Sequence, residues 1–125
     1  MMYNGMEFNK NQMREIRLGL EAYIDVALYA NPKFNAEQME QIRLGLETGQ
    51  DASIYANPEY DCDQMREIRA GFALGLDASI YANPEYNCDQ MREIREMLRT
   101  LMSLHARPKF DYNKMKKIRL ELASF

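Results

Sequence analysis

A pattern of about 26 residues recurs from end to end of this 125-residue chain, and a period that short leaves few folds open. One such unit is too small to bury its own apolar face, so neighbouring units must bury one another's. The chain therefore reads as all-α: tandem helix-turn-helix repeats of about 26 residues, stacked into a short solenoid-like domain. The unit boundaries fall at 1–34, 35–60, 61–86, 87–110 and 111–125, one domain in which the last unit is a lone closing helix.

The third unit shows the local grammar. Asp61 followed three residues later by Gln64 is a capping box, and Tyr60 with Met65 forms a hydrophobic staple across it. Met65, Ile68 and Phe72 then fall on one face, while Arg66, Glu67 and Ala70 are expected to point away from it. Gly75 supplies a left-handed C-terminal position, so the helix should stop near Leu74. Asp77 caps a second, short helix that cannot run through Pro84. An Asn-Pro-x-aromatic loop leads into the next unit.

The other units vary this scheme. Residues 1–8 read as a truncated loop in which Phe8 aligns with Phe34, Tyr60, Tyr86 and Phe110. Tyr23 stands where the third unit has Gly75, so the first helix is expected to continue toward Leu28. The second unit keeps every element, with Asn35 as cap, Gly49 at the stop and Asp51 opening the short helix. In the fourth unit the glycines are gone and two residues are missing, which predicts a single fused helix of about 18 residues before Pro108. Gly19, Gly45 and Gly71 lie inside helices, where glycine costs about 1 kcal/mol against alanine. Their recurrence predicts close approach of a neighbouring backbone, that of the short helix.

Several recurrent features are candidates for function. Arg17, Arg43, Arg69, Arg95 and Arg119 follow the buried isoleucine of each unit and would form a ladder. Such a row can grip phosphates or an acidic partner, or it can serve the fold by bonding loop carbonyls or Asp25, Asp51 and Asp77. Tyr29, Tyr55 and Tyr81, with His105 in the fourth unit, form a second row, which either anchors an interface or fills the groove between helices. Met13, Met39, Met65, Met91 and Met115 hold staple positions and belong to the core.

Charge is divided along the chain. Residues 1–91 carry seven Lys or Arg against 15 Asp or Glu, net −8, and residues 92–125 carry nine against four, net +5. Arg92, Arg99, Arg107, Lys116 and Lys117 belong to this basic end. It could meet nucleic acid, an acidic protein, or the acidic body of another copy. The overall −3 and the lack of a reader motif count against nucleic acid.

Chemistry is harder to place. The sequence has no Gly-rich phosphate loop, no Ser/His/Asp or Cys/His set, no HExxH and no CxxC, so no catalytic residues and no cofactor are expected. Cys62 and Cys88 occupy equivalent positions in adjacent units, too far apart for a disulfide, and with one histidine they cannot complete a metal site. No apolar run is long enough to span a bilayer and the start lacks a secretory pattern, which predicts a cytoplasmic protein that does not enter the membrane.

A string of the type QMxxIRxGLxxGxDxSxYAxPxF, carried by residues 38–60 and 64–86, resembles short tandem repeats in uncharacterised proteins of Firmicutes phages and mobile elements. That resemblance implies a mobile-element context, in which small compact chains often bind and block a host defence protein, as anti-CRISPR proteins do. The resulting expectation is a non-catalytic protein-binding module, an inhibitor in a phage or mobile element. The alternative is nucleic-acid binding through the arginine ladder and the basic end, and self-association is a third use of the same charges.

Overall fold

The computed structural model describes residues 1–105, apart from the side chain of His105. Expectations for the closing helix of 111–125 and for Arg107, Lys116, Lys117 and Arg119 lie outside the described residues. The described residues are mostly helical, with four helices, α1 (Lys10–Glu21), α2 (Ala36–Glu47), α3 (Cys62–Ala73) and α4 (Cys88–His105), and one small antiparallel sheet. None of the described helices is long and apolar enough to cross a membrane.

Each helix begins where the local chemistry demands. Asn9, Asn35 and Asp61 accept from the backbone N–H of Gln12, Gln38 and Gln64, and each glutamine accepts in return from its cap's own N–H, all at 2.8 Å. Asn87 and Gln90 repeat the exchange at the start of α4. The staple aromatics Phe8, Phe34 and Tyr60 are buried with Met39, Met65 and Met91 in one continuous core. Consecutive helices pack on one another, α1 on α2, α2 on α3 and α3 on α4.

The helix ends correct one expectation. α1 does not run on toward Leu28: Ala22 caps it and Tyr23 takes φ +58°, where Gly49 and Gly75 take +80° and +77°. All three ends close the same way, with Ile24, Gln50 and Leu76 donating back to the carbonyls of Gly19, Gly45 and Gly71 at 2.9–3.1 Å. The following segment dictates this reversal, because Val26 must enter the core as Ala52 and Ala78 do. Tyr23 therefore adopts a conformation that bulky residues rarely take.

The second helix of each unit is a single 3-10 turn, at Val26–Leu28, Ala52–Ile54 and Ala78–Ile80, capped by Asp25, Asp51 and Asp77. In the fourth unit the glycines are replaced by Met97 and Leu101, and α4 runs unbroken for 18 residues as expected.

Residues 1–8 are not a truncated loop. Met2–Tyr3 (β1) pairs with Met6–Glu7 (β2), Met2 opposite Glu7 and Tyr3 opposite Met6, around an Asn4-Gly5 turn with φ of +50° and +78° at its two central residues. The Met1 ammonium donates to the Phe8 carbonyl at 3.1 Å and Phe8 N–H to the Met1 carbonyl at 2.7 Å, which ties the hairpin to the start of α1.

Candidate functional site

The tyrosine and glycine rows are one device. Tyr29, Tyr55 and Tyr81 cap the 3-10 turns with 0% of their surface exposed. A Cβ built on Gly19, Gly45 or Gly71 would overlap the hydroxyl of Tyr29, Tyr55 or Tyr81 respectively. The close approach predicted for these glycines thus exists, but a side chain makes it and not a backbone. Tyr29 and Tyr81 donate to the Glu15 and Glu67 carbonyls at 2.7 Å, and Tyr55 donates to Gln50 Oε1 at 3.1 Å. Burial raises the hydroxyl pKa of all three, that of Tyr55 to about 12. Of the two uses open to this row, groove filling is the one observed, since all three rings are buried. In the fourth unit both halves of the device change together: Met97 stands at the glycine position and His105 at the tyrosine position.

The arginine ladder is divided in the same way. Arg43 Nε donates to Glu15 Oε2 at 2.8 Å, Arg69 Nε to Gln41 Oε1 at 3.1 Å, and Arg95 Nε to Glu67 Oε2 at 3.1 Å. The acceptors are the residues just before the buried isoleucines of the preceding unit, not Asp25, Asp51 and Asp77. Glu67, expected to point away from the core, is buried beneath Arg95 and also takes Arg92 at 3.2 Å. Arg43 gains a second carboxylate, Glu47, at 3.0 Å. Arg17 is exposed, as are Arg92 and Arg99, the latter 3.9 Å from Glu96.

A third recurrent contact, from each helix start to the loop that leads into the next unit, lies in residues that the sequence marks only as caps. Gln12 Nε2 donates to the Phe34 carbonyl at 2.7 Å, Gln38 Nε2 to Tyr60 at 2.6 Å and Pro58 at 3.2 Å, and Gln64 Nε2 to Tyr86 at 2.6 Å and Pro84 at 3.0 Å. One amide therefore closes its own helix start with its oxygen and, with its nitrogen, holds the loop that leads into the next unit. The only sequence signal for it is that glutamine never yields to glutamate at these positions, since a carboxylate could cap but could not donate.

With those groups engaged, the surface that remains notable lies at the N-terminal end. A cleft of about 310 Å³ opens between the hairpin and the first unit, lined by Tyr3, Met6, Leu20, Ile24, Asp25 and Asn31 among others. Beside it Tyr23 projects with 97% of its surface exposed, next in sequence to Ile24 and three residues from the half-exposed Leu20. None of these residues was a sequence-level candidate. The two cysteines are both free; burial raises the thiol pKa of Cys62, and Glu37 accepts from it at 3.4 Å.

Comparison with family models, curated proteins and solved structures gives no match for this chain.

Proposed function

We propose that this chain is a non-catalytic protein-binding module built on a short solenoid-like stack of repeats, serving as an inhibitor of a host defence protein in a phage or mobile element. The stacked arrangement is supported by the same features recurring at each described seam: arginine to the preceding unit, helix on helix, and a glutamine that holds the loop leading into the next unit. Many of the recurrent residues, the isoleucines, glutamines and tyrosines of the first three units among them, face inward along these seams. Some exposed positions differ between units, as Asn11, Glu37 and Asp63 do. That division of labour suits a scaffold whose surface, not its core, carries recognition.

The observation that carries the binding reading is Tyr23. Its backbone holds a left-handed conformation that costs an L-residue roughly 1–2 kcal/mol, at a position the next two units give to glycine. Its ring gains nothing in return from the fold, being almost wholly in solvent. A large aromatic kept exposed at a cost in strain, beside a cleft lined by both polar and apolar side chains, fits an anchor for a partner protein. The inhibitor role rests on the resemblance of the repeat string.

The test is affinity capture from a bacterial lysate with the full chain as bait, with and without nuclease, against the folded variants Tyr23→Gly and Leu20→Ser. A partner retained through nuclease and lost with both variants is the expected result. Capture that survives both variants removes the cleft from the interface. Capture that vanishes with nuclease identifies nucleic acid as the ligand and overturns the protein-binding reading.

A further inference from the structure

Each ladder arginine belongs to a helix face that the preceding helix covers. On α2, α3 and α4 that face carries Met39, Met65 and Met91, all at 0% exposure, and Arg43, Arg69 and Arg95, each partly buried against the acceptor of the helix before it. On α1 the same face is Met13, Arg17 and Leu20, and it is open. Met13 is only partly buried, Arg17 is exposed and bonds no side chain among the described residues, and Leu20 is 47% exposed where its counterpart Leu98 is 2%. The hairpin does not fill the place. Phe8 stands with the staple aromatics, and Tyr3 and Met6 face Leu20 and Ile24 across the cleft, so residues 1–8 substitute for the loop of a preceding unit and not for its helix.

Two features say what would cover this face. The first is charge. Lys10, Arg14 and Arg17 are exposed along one stripe of α1, with Glu21 as the one exposed carboxylate on that helix. At 100° per residue the three cations lie within about 60° of arc. At the internal seams the arginine meets a carboxylate or amide oxygen of the facing helix, and a cationic stripe favours the carboxylate. The second feature is Tyr23. Gly49 and Gly75 hold its place in the next two units, and a Cβ built on either would meet nothing within 4 Å, so nothing packs there at an internal seam. A second copy seated by the same seam geometry would leave the Tyr23 ring idle. An occupant that uses the ring runs past the end of α1, as no unit of this chain does over its neighbour.

We propose that the face of Met13, Arg17 and Leu20 takes an amphipathic helix of the partner protein, which presents a carboxylate to Arg17 between apolar residues over Met13 and Leu20 and extends onto Tyr23. This rests on the protein-binding reading and deepens it, placing α1 at the centre of the interface and Tyr23 at its end. The partner's carboxylate stands where Glu15 stands against Arg43, 2.8 Å from its Nε. The apolar contacts on either side exclude water from the pair and strengthen it.

The probe is an end-blocked peptide of residues 9–22, the segment that already covers the equivalent face of α2, and its binding to the full chain is followed by fluorescence anisotropy. Saturable binding is expected. It should weaken about tenfold with Glu15→Arg in the peptide or Arg17→Glu in the chain, and be largely restored when both changes are present. Because Arg17 is exposed, the Arg17→Glu chain should keep its Tm. In lysate capture, the partner lost with Tyr23→Gly should be lost with Arg17→Glu as well. Capture that needs Tyr23 but not Arg17, or peptide binding indifferent to the charge swap, overturns the helix docking and leaves the protein-binding reading standing. Capture that vanishes with nuclease, together with a duplex oligonucleotide bound through Arg17 in a steeply salt-dependent way, makes the stripe a phosphate site and overturns both. An oligomeric mass abolished by either Arg17→Glu or Glu93→Arg would show that a second copy, through its exposed Glu93, occupies the face and would overturn the partner helix.

Discussion

Tyr23, Gly71 and the three buried tyrosines show how much a single position can decide. Replacing Tyr23 by glycine relieves the left-handed strain at that position, and the variant should be more stable by about 1 kcal/mol, read as a rise of a few degrees in Tm. A fall in Tm would mean that the ring is bound to something within the fold. Gly71→Ala places a methyl group against the Tyr81 hydroxyl and should cost about 1–3 kcal/mol by overpacking. Adding Tyr81→Phe removes the clashing oxygen, so in a denaturant titration the double variant should lie above the sum of the two single losses. The tyrosines also set a limit in alkali. Their folded pKa values are raised above the unfolded value of about 10, so their contribution is complete below that pH. It is lost as pH rises from about 10 through about 12, where Tyr55 ionises. Ultraviolet titration should find that Tyr29, Tyr55 and Tyr81 ionise only together with unfolding, and early ionisation of all eight tyrosines would contradict the burial described here.

At the level of the element, helix starts were legible and helix ends only partly. The capping boxes at Asn9, Asn35, Asp61 and Asn87 depend on four adjacent residues, so the sequence contains the whole cause. The fused α4 was legible for the same reason, since losing both glycines removes the stop. The end of α1 was not, because the turn at Tyr23 is imposed by Val26 packing further along, and tertiary packing overrode the missing glycine. The ladder was visible as a row, yet its acceptors were not: Glu15 and Arg17 are two apart on one helix and cannot meet, and only across units does Glu15 come to face Arg43. The Asn4-Gly5 hairpin did carry a local signal, two short apolar-containing pairs around a turn dipeptide, which reading the segment as a partial repeat obscured. The cleft beside Tyr23 arises from that hairpin, so it was hidden with it.

For the molecule as a whole, what matters is that the arginine bonds between units each skip 28 residues and the glutamine-to-loop bonds each skip 22. Removing residues 61–86 brings Arg95 to face Gln41 and leaves the Tyr60 carbonyl facing Gln38, so the donors and acceptors still match. The shortened chain should fold and melt in a single transition at a lower temperature, by circular dichroism; an aggregated or molten product would contradict nearest-neighbour stacking. Removing 25 or 27 residues should fail, since it turns every later side chain about its helix axis.

The glutamine that clasps the following loop also has a mechanical meaning. Pulled by its two termini, a chain held together in this way should give along its length at one clasp after another. Each released unit of 26 residues would then lengthen the tether by about 90 Å, at roughly 3.5 Å per residue. Optical-tweezer traces should show steps of that size, and replacing Gln38 by glutamate, which can still cap its helix but cannot hold the loop that leads into the next unit, should lower the force of one step only.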